Sequence, residues 1–363
     1  MLSPFPYETF AEDENFLGRD KELLLLEKYI HSSNNLVVYS KRRMGKSSLV
    51  KKSIKELSKE NLCIYCDIFD ITSEDDFGWI LLNSLANSLK GDITHTIKKL
   101  ASFFKRARVE PVFDPKSAQM SIKPIVKSLD FDEMLEDFFN TIFELSKKQN
   151  IVLVIDEFQQ ISTIKNIKID AKLRKYMQEN KNISYIFLGS KRHMLNKLFE
   201  YKAPLFEMAT PLNLEPLSIE DIYNYVKKYL DIDSEQMQYI YNLADKETKL
   251  IQHILHILYK NYQDKNIDED KIDLSLKEII DAKSSAYRII YDTFSQNQKK
   301  AFKLLSKYGK NFYSKDILDE QNLTKTAMHS ALKQLFDKEF IDKEDDRWFI
   351  PDRAFEIWGK SLS

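Results

Sequence analysis

The chain has 363 residues, 43% of them apolar, and a net charge of −1. That length implies two or three domains of about 100–200 residues each. The near-zero charge excludes a protein whose whole surface grips nucleic acid and leaves only a local basic face open to that role. The opening Met1-Leu2-Ser3-Pro4-Phe5-Pro6-Tyr7 has no basic region leading into a long apolar stretch, and no apolar run nears the ~18 residues of a spanning helix. The sequence therefore predicts no signal peptide, no membrane segment and a cytoplasmic setting.

In chain order, residues 20–33 are predicted helical, with Leu23, Leu24, Leu26 and Tyr29 on one side. The short run Leu36-Val37-Val38-Tyr39 reads as a buried parallel strand. Helix is predicted from about Lys46 to Lys59. Residues 62–69 form the next strand, and this accounts for the two cysteines. Cys63 and Cys66 are three apart and so point to opposite faces, and no second pair completes a zinc site. Both read as small strand residues in a reducing compartment. Residues 77–104 are predicted helical from the spacing of Ile80, Leu81, Leu85, Leu89 and Leu100. Between 108 and 126, two alternating stretches flank Asp114-Pro115-Lys116-Ser117, the pattern of an inserted β-hairpin. Helix resumes at 131–148. The apolar run Ile151–Ile155 ends in Asp156-Glu157, helix follows at 168–180, and the strand Ile183–Leu188 closes at Gly189-Ser190. A last short strand fits Pro211–Leu214. From about Glu215 the strand signal stops, and residues 218–290 read as several helices.

Chemistry concentrates at two places. Tyr39-Ser40-Lys41-Arg42-Arg43-Met44-Gly45-Lys46-Ser47-Ser48 follows a strand and opens a helix, the context that G-x-x-x-x-G-K-[ST] requires. Successive backbone N–H groups at a helix N-terminus form a concave anion site. Gly45 would let the backbone approach phosphates, Lys46 would reach the β and γ oxygens of ATP, and Ser47 would ligate magnesium. Ser40 stands where the first glycine belongs, and a positive φ there would strain a serine. The second place is the acidic strand end. Asp156 would sit near the magnesium, and Glu157 could polarise the attacking water as general base. The strand ending at Ser190 should lie between the other two, aiming Ser190 at the γ-phosphate. Lys191 or Arg192 could stabilise transition-state charge, in cis or toward a neighbouring subunit.

Strands alternating with helices, together with this loop, imply an α/β fold: a P-loop NTPase parallel sheet with helices on both faces. The chain then resembles the AAA-type ATPases of the archaeal ATPase family, which also occur in bacteria. Phe16-Leu17-Gly18-Arg19-Asp20-Lys21-Glu22-Leu23 resembles that family's F-x-G-R-x-x-E-L opening, so the resemblance implies Gly18 and Arg19 near the adenine. Tyr39–Ser48 resembles its G-P-R-R-x-G-K-[ST]-S loop and Ile155-Asp156-Glu157-Phe158-Gln159 its acidic strand. Phe187–Ser190 resembles its sensor segment, and Pro216-Leu217-Ser218 its step into a helical lid. Two segments depart from the family pattern. Asp245–Leu250 lacks the G-x-P step, and Glu207 stands where relatives often show arginine. Neither a lid sensor nor a fixed arginine finger is therefore implied.

The last ~70 residues carry their own pattern. Gln296–Lys307 reads as a helix, Ser314 as an N-cap for Lys315–Glu320, and Thr324 as the cap of a helix through Asp337 with Ala327, Ala331, Leu332, Leu335 and Phe336 inward. Phe340–Lys343 and Arg347–Ile350 alternate around Glu344-Asp345-Asp346. Helix, helix, helix, hairpin is a winged helix-turn-helix. The expected domains are 1–215, an ATPase domain carrying the hairpin; 216–290, an all-α lid; and 291–363, the winged helix. Lys325, Thr326, His329, Ser330 and Lys333 would form a DNA-contacting face, which the acidic hairpin tip opposes.

Three functions follow. The first is a magnesium-dependent ATPase working as a conformational switch, with the lid closing over nucleotide. The second is a nucleotide-responsive DNA-binding protein similar to origin-recognition AAA proteins. The third is a non-hydrolysing protein that holds ATP or ADP structurally. A second copy of the chain or another protein remains open as partner.

Overall fold

A parallel sheet covered on both faces buries every strand position, so its strands must be short and continuously apolar. The computed structural model describes residues 3–9, 13–89, 109–114, 119–124, 130–164, 168–190, 192–262, 266–309, 312–344 and 346–362, with backbone alone at 13, 109–114, 119–124, 192–193 and 315. Its first strands are β1 (Leu36–Tyr39), β2 (Leu62–Asp67), β3 (Val109–Asp114), β4 (Gln119–Pro124), β5 (Ile151–Asp156), β6 (Ile183–Gly189) and β7 (Thr210–Asn213). Five of them form one parallel sheet in the order β2-β5-β6-β1-β7. Every position of β5 and β6 is buried. Edge strand β7 is mostly exposed and carries Pro211, tolerable there because an edge needs fewer donors. β3 and β4 pair antiparallel as the separate hairpin predicted near 108–126; its turn residues 115–118 lie outside the described residues.

The chain divides into two units. The sheet unit is Arg19–Lys41 with Gly45–Glu215; the C-terminal unit is Met1–Gly18, Arg42–Met44 and Pro216–Ser363. In the sheet unit the helices are α1 (Asp20–His31), α2 (Lys46–Leu57), α3 (Glu74–Ser88), α4 (Phe131–Ser146), α5 (Ile169–Glu179) and α6 (Arg192–Phe199). The apolar stripes of α3, α4, α5 and α6 join β2, β5 and β6 in one core that includes Phe77, Phe138, Phe139, Phe158 and Phe187. Two expectations change. In α1 the buried positions are Leu26 and Ile30, four apart, whereas Leu24 is exposed. The helix predicted at 77–104 begins at Glu74, because Ser73 and Asp76 cap each other reciprocally. It stops at Ser88, where Leu89 turns extended, and Leu100 lies outside the described residues. Within β2, Cys66 is buried and Cys63 only partly so. Burial pushes the Cys66 thiol up to about 12, where it is inert.

The C-terminal unit is all helical until its end: α7 (Ile219–Val226), α8 (Ser234–Leu243), α9 (Thr248–Tyr262), α10 (Glu269–Asp292), α11 (Gln296–Tyr308), α12 (Lys315–Glu320) and α13 (Lys325–Asp337), then β8 (Asp342–Glu344), β9 (Arg347–Phe349) and α14 (Arg353–Lys360). One hydrophobic cluster runs through all of it, from Ile222 to Trp358. Phe5 joins that cluster, edge-on to Tyr225, Tyr229 and Tyr259, so the N-terminal segment is part of this core. Thr324 caps α13 by accepting from Ala327 N, as predicted, whereas Ser314 sits at the start of α12 without a side-chain cap bond. The buried positions of α13 are Met328, Ala331, Leu332 and Leu335. Helix α14 was not predicted. Its signal is present in the sequence, since Asp352 caps it and Ala354, Phe355, Trp358 and Gly359 bury one face. Among the described residues, no helix is long and apolar enough to cross a membrane.

Candidate functional site

In a parallel sheet, adjacent strands finish at one edge, and ligand sites gather there. Tyr39 at the end of β1 pairs with Gly189 at the end of β6, and β6 lies between β1 and β5. The sheet edge therefore collects the loop after β1, Asp156 of β5 and Ser190 after β6. Gly189 leaves room for its neighbours: a Cβ there would stand 2.6 Å from Gln159 Oε1 and 2.8 Å from Leu195 Cδ2, so those side chains would have to shift.

Gly45 is the residue before α2 and adopts φ 84, so its role is conformational as well as spatial. Ser40, in contrast, is not in the left-handed region, and the strain expected of it does not arise. Its hydroxyl donates to the Lys41 carbonyl at 2.9 Å. The non-glycine residue that carries positive φ in this loop is Arg43, at 67°.

From the first turn of α2, Lys46 is buried with its ammonium 3.7 Å from Asp156 Oδ1 and 3.8 Å from Glu157 Oε1. The Ser47 hydroxyl donates to Asp156 Oδ2 at 2.8 Å, and the Tyr65 hydroxyl donates to the same oxygen. Burial, then the Asp156 charge, pushes the Tyr65 phenol well above its ordinary range, so it stays a donor. Glu157 sits at φ 55. Its Oε2 accepts from Ser190 Oγ at 2.9 Å and from the Gln159 amide. The cluster thus holds Lys46, Ser47, Asp156, Glu157 and Ser190 together, as the sequence led us to expect, with Tyr65 and Gln159 added. Tyr65 had a faint signal, a polar residue in the strand beside the acidic one. Gln159 stood in the sequence only as the last residue of the acidic-strand resemblance, with no role attached.

Arg19 is buried and pairs with Glu22 at 2.7 Å. Gly18 takes φ 67, and a Cβ on it would approach Asp221 and Leu217 at 3.1 Å. Lys41 is exposed, Met44 buried and Ser48 half-buried. Arg192 opens α6, and Lys191 lies outside the described residues. On α13, Lys325, Thr326, His329, Ser330 and Lys333 are all exposed. At the wing, Lys343 pairs with Asp346 at 2.7 Å.

Ser47 and Asp156 are hard oxygen donors, the set a small divalent cation accepts. Among the described residues no group of three or more His, Cys, Asp or Glu could hold a metal by itself.

Within the C-terminal unit, Arg43 Nη1 lies 2.7 Å from Asp352 Oδ1 and 3.4 Å from Glu247 Oε1. The Lys249 N–H donates to the Arg43 carbonyl at 3.3 Å. Arg42 reaches Glu339 at 3.3 Å, a half-exposed pair of small energetic weight. Glu247 also accepts from Arg353 N at 3.3 Å. Burial pushes its carboxyl up to about 7, against the pull of Arg43. Asp352, despite burial, is held below its ordinary value by the Arg43 hydrogen bond.

A family of ATPase domains found predominantly in Archaea matches residues 16–254, and a winged helix domain family matches residues 285–361. The chain belongs to the first of these families. An uncharacterised ATP-binding protein of Methanocaldococcus jannaschii is 25% identical over 334 residues, covering 84% of this chain and 88% of that one. A Walker-type ATPase of Pyrococcus abyssi shares the fold with a TM-score of 0.66 at 16% identity, covering 99% of this chain and 100% of its own. The ORC2 protein of Aeropyrum pernix, solved in ADPNP and ADP complexes, does so with a TM-score of 0.55 at 13% identity, covering 98% and 96%.

Because the Glu247 pKa is higher in the fold than its ordinary 4.5, the folded state binds more protons than the unfolded one between about 4.5 and 7. The stability this supplies is present below pH 4.5 and is lost as pH rises through about 7. Thermal melts across that window should show Glu247→Gln losing less stability than the native protein; parallel curves would contradict this.

Proposed function

We propose, from family membership and the Lys46 cluster, that this chain binds ATP with magnesium and hydrolyses it as a conformational switch. The observation that carries the reading is the buried Lys46 beside Asp156 and Glu157 at 3.7 and 3.8 Å. A direct charge-assisted hydrogen bond is about 2.7–2.9 Å. The ammonium is thus balanced by the carboxylates without being locked to either, and an arriving phosphate competes for it easily. Backbone N–H groups around Gly45 and the N-terminus of α2 complete the anion cradle. Gly18 and Arg19 belong to this reading as adenine neighbours, and Ser40–Ser48 as the loop around the phosphates.

Ser47 and Asp156 would hold magnesium, which when bound neutralises charge on the β and γ phosphates. Glu157 orients a water and takes its proton as the water oxygen bonds to the γ-phosphorus. The bond from that phosphorus to the bridging oxygen breaks, leaving ADP and inorganic phosphate. Ser190, already committed to Glu157, would exchange toward the γ-phosphate and so report its presence. Lys191 or Arg192, directly after Ser190 in the sequence, would supply the cation for transition-state charge, and a second copy of the chain is the alternative source. Arg43 lies three residues before Lys46 and is held by Asp352 and Glu247. Loop movement around phosphate would therefore be felt by those carboxylates, which is the switch. The domain limits near 215 and 290 belong to the same reading, although α10 runs unbroken past residue 290.

The first test is steady-state ATP turnover with magnesium for native protein and Glu157→Gln. The expected result is a loss of about 10²–10⁴-fold in turnover with nucleotide binding retained, the scale of a lost general base. Equal turnover in both proteins removes Glu157 as the base.

A second reading is favoured by one observation: the outer face of α13 is exposed and carries Lys325, His329 and Lys333. In this reading the winged helix contacts duplex DNA. Lys343, by pairing with Asp346, offsets part of the acidic wing that opposes it. A gel shift at low salt is expected, weakened in Lys325→Ala/Lys333→Ala with a salt slope smaller by about 2. No shift at micromolar protein excludes this reading.

A further inference from the structure

Gln159 is fully buried, yet its amide is only half satisfied. The nitrogen donates to Glu157 Oε2. The oxygen finds no donor among the described residues. This orientation is chemically forced, because an ionised carboxylate only accepts and must therefore face the NH2 group. The oxygen is left pointing toward Gly189, where a Cβ would stand 2.6 Å from it. Both the bare backbone at Gly189 and the donorless oxygen are costs. A buried amide oxygen without a partner is destabilising, and an apolar side chain of the same size would avoid the penalty. Packing alone therefore does not explain the residue. What the glutamine supplies that a methionine would not is the hydrogen bond to Glu157.

That bond does not act alone. Ser190 Oγ donates to the same Glu157 oxygen at 2.9 Å. Glu157 itself leaves the end of β5 at φ 55, a conformation costly for a side chain larger than glycine. Two donors on Oε2 and a fixed backbone select one rotamer. The other oxygen, Oε1, is left toward Lys46 at 3.8 Å. One carboxylate oxygen is used for holding and the other is presented.

We infer that Gln159 is a positioning residue that, together with Ser190, fixes Glu157 so that Oε1 faces the site where phosphate and water meet. This rests on the hydrolytic reading of the cluster and deepens it. When Ser190 turns toward the γ-phosphate, Gln159 remains as the holder of Oε2, so the carboxylate keeps its aim at the moment the site is loaded. Because it acts through Glu157, Gln159 contributes to turnover and little to nucleotide affinity.

The experiment compares native protein with Gln159→Met, which conserves volume, and Gln159→Asn, which keeps the amide but withdraws it by one methylene. ATP turnover and fluorescent-nucleotide affinity are measured for each, alone and on Glu157→Gln, and crystal structures of native and Gln159→Met are compared at Glu157. The expected result is a fall in kcat of roughly 10- to 100-fold from misaiming the base, with KM and nucleotide affinity within about twofold of native. On Glu157→Gln no further fall is expected. An unchanged kcat in both variants overturns the inference and leaves the hydrolytic reading standing. If native protein binds ATP without turning it over, the hydrolytic reading fails, and the crystal structures decide the positioning: Glu157 leaving Ser190 in Gln159→Met supports it, and an unmoved Glu157 overturns it.

Discussion

A lysine ammonium buried at the start of a helix has to be balanced, since an unpaired buried charge costs several kcal/mol. Lys46 is 7% exposed, and its balance comes from Asp156 and Glu157. Much of the sheet unit follows from that constraint. β5 has to end in acids at the edge where the loop after β1 emerges. β6 lies between them and ends without a side chain at Gly189, which leaves space for the Gln159 amide as it stands. Asp156 in turn is held by Ser47 and Tyr65, and Glu157 by Ser190 and Gln159. Four neutral donors thus keep two carboxylates in place around one cation. The result is a preorganised polar site at the edge of an otherwise apolar sheet, the kind of environment in which charge development is stabilised without reorganisation.

The C-terminal unit holds a second, half-buried cation. Arg43, in a left-handed conformation, is held between Asp352 at the cap of α14 and Glu247 before α9. Asp352 therefore does two jobs, accepting from Phe355 N to start a helix and from Arg43. A single guanidinium nitrogen, Nη1, faces both carboxylates. Glu247, more deeply buried, pays with a raised pKa.

The sheet was legible because its signals are local. Ile151–Ile155 and Ile183–Leu188 are unbroken apolar runs, and the glycine-lysine-serine step follows a strand and opens a helix. The hairpin near 108–126 was legible from its alternation. Long-range features were not. Leu24 is apolar and sits on the solvent side of α1, because which stripe a helix buries depends on its neighbours. The helix predicted at 77–104 breaks at the extended Leu89, a residue type that carries no terminator signal. Ser40 looked strained by analogy with glycine, whereas the loop places its positive φ at Arg43 and Gly45. Tyr65 and Gln159 act through contacts across strands or a short turn, and residue type alone did not point to them.

The central claim is that the Lys46 cluster is a nucleotide site, and calorimetric titration of ATP into native protein and Lys46→Ala, with and without magnesium, tests it most directly. With both proteins shown folded by circular dichroism, the native chain should bind ATP more tightly with magnesium than without. Lys46→Ala should bind about 30-fold or more weakly, the scale of a lost buried charge contact. Equal affinity of the two proteins for magnesium ATP, or no binding by either, would contradict the account.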